Sequence, residues 1–351
     1  MILRKIVLLA ASIIKCVILF IFLSKSYANE NTEKKFGNDK GIVSIMYHRF
    51  NENKYPSTNI EMKVFEEQIK IIKDSGFDFY DPKNFEKNFS QIKKDKKILL
   101  TIDDAFQSFY EYAWPYLKKE KIPFILFVST QPVGKNGFMT WNQILEIEKS
   151  ELGTIGHHSH THEYLIDMTH EDFIEDIETA SIIFKEKLGY VPSIFSYPFG
   201  EYSKFMKDHI SDKFTIAFGQ HSGVIDLNKD RFELPRFPIN EKYGDLKRFK
   251  FNIDLLPLEY KKVIPENKYI TNNNPPQLQI EFFENQKNLK NINCFSDEGD
   301  GWKKTDIKLN NRKLFVNFSD KFKFRRGRIN CSLNDTDGWR WFGLQFSIKL
   351  D

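Results

Sequence analysis

Leu99-Leu100-Thr101-Ile102-Asp103-Asp104-Ala105-Phe106 is the stretch on which the fold turns. An apolar run ends in two adjacent carboxylates, and a helix-like segment begins just after them. The stretch therefore reads as a buried strand passing directly into a helix. Two like charges side by side at a strand end are costly unless a cation or a proton separates their roles. One reading puts a carboxylate on a metal and leaves its neighbour free as a base. The other makes the pair a solvated turn, with Asp near a helix N-terminus for its dipole. The stretch by itself leaves both open.

Outward from it, the strand-then-helix pattern repeats. Ile42 to Tyr47, Lys97 to Ile102, Pro123 to Val128, Thr154 to Gly156, Ser193 to Tyr197 and Phe214 to Phe218 read as strands. Amphipathic segments separate them: Phe65 to Phe77, Phe109 to Leu117, Trp141 to Ile147, Phe173 to Leu188 and Phe205 to Ile210. Near-continuous apolar strands alternating with such helices imply a parallel sheet covered by helices. About seven units over roughly 200 residues fit an α/β fold of the irregular (β/α) barrel kind, with an open sheet as the alternative. Past Asp254 the style changes to alternating runs between turn-like clusters, the pattern of an all-β, sandwich-like module. The expected organisation is a main domain over 41–254, a linker over 255–276 around Asn272-Asn273-Asn274-Pro275-Pro276, and the β module over 277–351.

Residues 1–28 read as a secretory signal. Arg4 and Lys5 precede an apolar run from Ile6 to Leu23, and Ser26-Tyr27-Ala28 places small residues at the cleavage positions. Lys15 interrupts the apolar run, which argues against a membrane span; an uncleaved anchor is the alternative, and the only route to a membrane partner. Asn29 to Lys40 reads as a mobile lead-in. The chain is therefore expected to be exported, to a periplasmic or extracellular location. The net charge of +4 also belongs to this segment, which carries four bases and no acid, so the remaining 48 bases balance the 48 acids. A balanced chain gives no reason to expect nucleic acid as a partner. Cys294 and Cys331 follow the signal; a disulfide between them and a pair of free thiols are both compatible with the sequence.

Gly156-His157-His158-Ser159-His160-Thr161-His162 holds four of the chain's eight histidines. Neutral imidazole is a usual ligand for zinc and related ions, and a catalytic site needs about three protein ligands with one position open. A polar, incidentally His-rich loop is the plainer reading. The helical HExxH zinc pattern is absent here.

Taken together, Thr101-Ile102-Asp103-Asp104 and His158-Ser159-His160-Thr161-His162 resemble the motifs of the polysaccharide deacetylases of the NodB-homology type, carbohydrate esterase family 4. The resemblance covers about residues 41–240. It implies that Asp103 is the catalytic base and that Asp104, His158 and His162 hold a divalent metal, with Zn2+ the expected ion. Phe195-Ser196-Tyr197-Pro198-Phe199-Gly200 is similar to a third family motif, which implies a substrate and oxyanion role for Tyr197, Pro198 and Phe199, the Phe199 N–H as donor. The family's Arg is Ser196 in this chain, and Arg231 or Arg236 is a candidate replacement. Tyr47-His48-Arg49 and the Tyr-Pro-Phe-Gly segment resemble most the branch acting on poly-N-acetylglucosamine.

For the leaving-group acid of the late family motif, His221 is the first candidate and His48 the second. As plain structure, His48 braces the barrel floor and His221 is a loop residue. Trp302, Trp339 and Trp341 of the β module could stack on sugar rings or simply pack. The activity implied is metal-dependent release of acetate from the N-acetyl groups of a hexosamine-containing polysaccharide. An O-acetyl esterase on the same scaffold, or an inactive glycan-binding protein, are the alternatives. The sequence does not speak to oligomeric state.

Overall fold

The structure, a computed structural model, describes residues 41–85, 96–226, 229–284 and 286–349. The expected signal (1–28) and lead-in (29–40) lie outside the described residues. Strand β1 (Ile42–Tyr47) is buried along its whole length, as its apolar run requires of a strand covered on both faces. It pairs in parallel with β2 (Lys97–Ile102), in a register running from Ile42 opposite Lys97 to Tyr47 opposite Ile102. Then follow β3 (Phe124–Val128), β4 (Gly153–His157), β5 (Ile194–Ser196) and β6 (Ile216–Phe218), each parallel to the one before.

One strand not expected from the sequence, β7 (Phe237–Pro238), pairs with the free edge of β1. The sheet order is thus β7-β1-β2-β3-β4-β5-β6, with the short strand Asp78–Phe79 beside the start of β2. Residues 231–234 bond to β6, Ala217 N–H to the Arg231 carbonyl and Leu234 N–H to the Ala217 carbonyl. The segment from 231 to 238 therefore bridges the two edges and curls the sheet into the expected irregular barrel.

Period-two alternation decides what faces where. On β2, Ile98, Leu100 and Ile102 point outward to a core shared with Phe65, Ile69, Leu117, Ile144 and Phe184. Those side chains come from α1 (Met62–Asp74), α2 (Trp114–Glu120), α3 (Trp141–Lys149) and α4 (His170–Leu188). Leu99, with Ile42, Ile125, Phe127, Ile216 and Phe218, fills the barrel interior. The inward set continues along β2 to Thr101 and Asp103, along β4 to His158 and along β5 to Ser196. All the inward chemistry is thus collected at the C-terminal ends of the strands, where such barrels carry their sites.

The helices start where their caps dictate. Thr140 and Gln143 form a capping box on α3, and Thr169 caps α4, which therefore begins three residues before the apolar periodicity shows. Ser203 and Asp245 cap α5 (Lys204–Lys213) and α6 (Leu246–Asp254), the latter not expected from the sequence. The helix expected from Phe109 opens as a π turn, Phe109–Ala113, before becoming α2.

The all-β region is a sandwich of two sheets. One contains the long antiparallel strands β8 (Arg326–Asp335) and β9 (Gly338–Ile348), with Asn293–Asp297 and Trp302–Lys304 beyond β8. The other contains Lys262–Ile264, Leu278–Glu281, Lys313–Asn317 and Asp306–Asn310. Leu278, Ile280, Leu314, Ile329, Leu333, Leu344 and Phe346 fill the space between them. Cys294 lies directly opposite Cys331 in the cross-strand register, and the two form a disulfide.

The expected linker over 255–276 is a correction. It carries Leu256–Pro257 and Tyr269–Ile270, both paired with β9, and Lys262–Ile264, paired with Leu278–Glu281. Its apolar Leu256, Leu258 and Ile270 are buried, so it is built into the sandwich rather than strung between domains. No helix among the described residues is long and apolar enough to cross a membrane.

Candidate active site

Asp103 extends β2 by one residue, its N–H bonding to the Tyr47 carbonyl at 2.9 Å. The chain then turns through two non-glycine residues in the left-handed region, Asp104 (φ 72°) and Ala105 (φ 51°). Such a turn is uncommon, and Asp is among the few side chains that tolerate it. It sends the two adjacent carboxylates to different partners.

Asp103 is fully buried and meets Arg236, with Nη1 at 2.6 Å from Oδ1 and Nη2 at 2.9 Å from Oδ2. The guanidinium is held in turn by Ser196 Oγ, Thr101 Oγ1 and the Gly219 carbonyl. Burial opposes ionising Asp103, but Arg236, with His158 and His48, outweighs it and holds the carboxyl below its usual range. Arg236, not Arg231, thus meets Asp103. Ser196 accepts from the guanidinium, and its small side chain leaves the space Arg236 occupies.

Asp104 turns instead toward the imidazoles. Its Oδ1 lies 3.0 Å from His162 Nε2 and 3.4 Å from His158 Nε2. The three ligand atoms lie within 4.8 Å of one another. His158 Nδ1 sits 2.7 Å from the Ser196 carbonyl, which can only accept, so that nitrogen carries the proton and Nε2 presents a lone pair. Asp104 Oδ1 and His158 Nε2 are both buried and make no hydrogen bond. Two orphaned acceptors aimed at one point, with His162 beside them, fit a divalent cation bound by one carboxylate and two neutral imidazoles. The surrounding burial would keep Asp104 neutral, yet His162 and His158 hold its carboxyl well below the usual range.

The other two histidines of the run do not join them. His157 is buried among Phe184, Phe195 and Phe214, and desolvation pushes it down to about 3. His160 Nδ1 meets Thr130 Oγ1 at 2.7 Å. The loop itself is anchored by a residue sequence reasoning missed. Asp176 of α4 accepts from the His160 N–H, the Thr161 N–H and the Thr161 hydroxyl, at 2.7, 3.0 and 2.6 Å. Its signal is a carboxylate at i+3 from Phe173 and next to Ile177, on the buried face of an amphipathic helix.

The third segment forms a 3-10 turn, Pro198–Gly200, with Phe199 at φ 59°. The Phe199 ring stands 4.8 Å from that of His162 and stacks on Tyr164 at 4.3 Å. Gly200 is required here, since an added Cβ would lie 2.5 Å from the Gln220 nitrogen. Tyr197, expected at the substrate, contributes only backbone to this turn. Its ring is fully buried against Phe195 and Tyr202, because it falls on the outward side of β5.

A cleft of about 450 Å3 opens over these groups, with His48, Asp104, His162, Phe199 and His221 on the barrel side. His48 Nε2 is 3.9 Å from Asp103 Oδ2. His221 is nearly buried, its ring packed over Gly219, and desolvation pushes it down to about 4. The opposite wall belongs to the sandwich and includes Trp302, Arg326, Arg328 and Asn330. Of the other tryptophans, Trp341 donates to Ser222 Oγ at 3.1 Å within the contact between barrel and sandwich, and Trp339 is exposed beside Phe251.

A family model described as polysaccharide deacetylase matches residues 90–213. A Bacillus subtilis (strain 168) protein, YxkH, is 26% identical over 162 residues, 46% of this chain; the chain spans 57% of that protein's length. The poly-beta-1,6-N-acetyl-D-glucosamine N-deacetylase of Staphylococcus aureus is 23% identical over 222 residues, 57% of this chain and 74% of that one. Among solved structures, IcaB from Ammonifex degensii superposes with a TM-score of 0.53 at 24% identity, over 62% of this chain and 98% of that one. The Streptococcus pyogenes deacetylase PplD, solved with acetate, gives 0.53 at 20% identity, over 58% and 94%. At these identities the structural likeness speaks for the fold, a parallel barrel sheet with its helices.

Proposed function

This chain belongs to the polysaccharide deacetylase family, and on that premise we propose that it hydrolyses N-acetyl groups of a hexosamine-containing polysaccharide, releasing acetate. The observation that carries the reading is the division of labour between Asp103 and Asp104. One carboxylate is locked to a buried guanidinium, and the other faces the Nε2 atoms of two imidazoles.

Asp104, His158 and His162 would hold a divalent cation, with Zn2+ favoured by the nitrogen and oxygen donor set. When bound, such an ion lowers the pKa of water and polarises an amide carbonyl. Asp103, kept ionised by Arg236, takes the proton from the water that attacks the acetyl carbon. The Phe199 N–H donates to the oxygen on which negative charge develops. His48, whose Nε2 lies 3.9 Å from Asp103 Oδ2, returns a proton to the departing sugar amine, whereas His221 is the more buried. The balance is amide plus water to acetate plus amine.

The acetylated polysaccharide is the one partner this chemistry requires. We read the protein as exported, supported by the N-terminal sequence pattern and by the cross-strand Cys294–Cys331 pair, which suits an oxidising compartment. The inactive glycan-binding alternative rests on Ser196 at the family's Arg position and on the β module; the Arg236–Asp103 contact speaks against the first of these.

The test is an acetate-release screen over N- and O-acetylated glycans, run with metal analysis of the protein. Release from N-acetylglucosamine oligomers that requires bound metal supports the reading. Release only from O-acetylated glycans makes the protein an esterase, and release from none overturns hydrolysis.

A further inference from the structure

The sandwich strand β9 has two faces. Phe342, Leu344 and Phe346 enter the sandwich core, so the alternate positions Trp341, Gly343 and Gln345 face the barrel. The approach is close: a Cβ added at Gly343 would stand 2.1 Å from the Ser222 carbonyl oxygen. Two residues further along, buried Gln345 donates from Nε2 to the carbonyls of Phe199 and Gly200, at 3.1 Å each.

The orientation of that amide follows from its partners. Arg328 Nε, which can only donate, lies 3.0 Å from Gln345 Oε1. The two carbonyls can only accept, so the NH2 group must face them. Beside this contact, Arg326 Nε lies 2.9 Å from Glu201 Oε1, the residue that follows Gly200. Both ends of the Phe199–Glu201 turn are therefore gripped by one sheet of the sandwich. Phe199 is in the left-handed region, which a bulky residue holds only where its surroundings enforce it.

We propose that the C-terminal sandwich is a wall of the active site rather than a separate sugar-binding module, and that Gln345 is a positioning residue that holds the Phe199 turn in register with the metal ligands. Its effect on turnover rests on the proposed role of the Phe199 N–H; the clamp itself does not. Arg328 both lines the cleft and fixes the Gln345 amide, so a substrate touching Arg328 bears on the same turn.

The test uses the full chain with Gln345→Met, which keeps the volume and removes the donors. Backbone hydrogen exchange by mass spectrometry, metal content, thermal midpoint, kcat and KM are read together. The expected result is faster exchange over residues 198–201, unchanged metal content, and a kcat lower by about tenfold or more with KM within about twofold. Should Gln345→Met fail to fold, Arg328→Met leaves Gln345 in place but free to rotate, and is expected to change exchange and kcat in the same direction. Unchanged exchange over 198–201 overturns the clamp. Faster exchange with unchanged kcat overturns the positioning role. If the wild type releases no acetate while exchange still responds, the clamp stands as a structural contact, and the hydrolase reading and the positioning role fall together.

Discussion

Arg236 and Asp103, 133 residues apart, meet as a two-point ion pair from which solvent is wholly excluded, Nη1 on Oδ1 and Nη2 on Oδ2. A fork of this kind fixes the carboxylate's plane as well as its charge. Removing one partner leaves a buried charge uncompensated, which typically costs about 3–5 kcal/mol. Arg236→Met is therefore expected to lower the unfolding free energy of the metal-free protein by that order in denaturant titrations. Arg236→Lys retains the charge but loses the fork and the contacts to Ser196 and Thr101. It is expected to lose less stability while still lowering kcat by about tenfold or more; equal stability losses in the two variants would show that the geometry of the fork, not the charge alone, is what Asp103 needs.

The neighbouring carboxylate predicts a different phenotype. Asp104→Ala, His158→Ala and His162→Ala each remove one of three converging donors and are expected to abolish metal retention, measured as metal per chain after dialysis. Asp103→Asn keeps all three donors, so it is expected to retain metal and lose turnover. Metal lost from Asp103→Asn to the extent seen in His158→Ala would overthrow the division of labour.

How much of this was legible in the sequence depends on how local each signal is. β2 and the pair that ends it are written in eight consecutive residues, and alternation alone turns Asp103 inward. His158 and His162 were legible as a His-rich run, but only packing separates them from His157, which the rings of Phe184, Phe195 and Phe214 enclose. Arg236 was named only as a replacement for an expected Arg. It sits in Leu234-Pro235-Arg236-Phe237-Pro238, where two prolines and a two-residue strand leave no periodicity to read. Of the second wall of the cleft, only Trp302 was named from the sequence. Arg326, Arg328 and Asn330 alternate with Gly327, Ile329 and Cys331, and such alternation reads as a strand with one face in water. Here that face is turned to the cleft.

The two candidate proton donors separate by position. His48 Nε2 stands 3.9 Å from Asp103 Oδ2, while His221 packs over Gly219 at the back of the cleft. His48→Ala is expected to lower kcat by about a hundredfold, in the usual range for general acid–base groups, and His221→Ala by much less. A substrate with a better leaving group should be less sensitive to His48→Ala, because it needs less proton assistance. The reverse order of the two variants would return the role to His221.

Glu201 predicts how pH acts on the contact between barrel and sandwich. Its carboxylate is almost wholly buried and faces Arg326, with Arg325 3.8 Å away and Arg328 and Tyr269 nearby. Burial dominates, and the pull of Arg326 does not cancel it, so the group is pushed up to about 7. The unfolded chain releases this proton at an ordinary Glu pKa, near 4.3. Between those values the folded state holds more protons than the unfolded state, so stability falls as pH rises. Glu201 therefore costs nothing below about pH 4, and its penalty is complete above about pH 7. Glu201→Gln keeps the volume and removes the titration, at the expense of the Arg326 ion pair. Its thermal midpoint relative to wild type is expected to rise from pH 5 and level off above about pH 7, by an amount on the order of 1–3 kcal/mol in free energy. A difference that stays flat, or falls, over that range would mean that Arg326 keeps Glu201 ionised throughout.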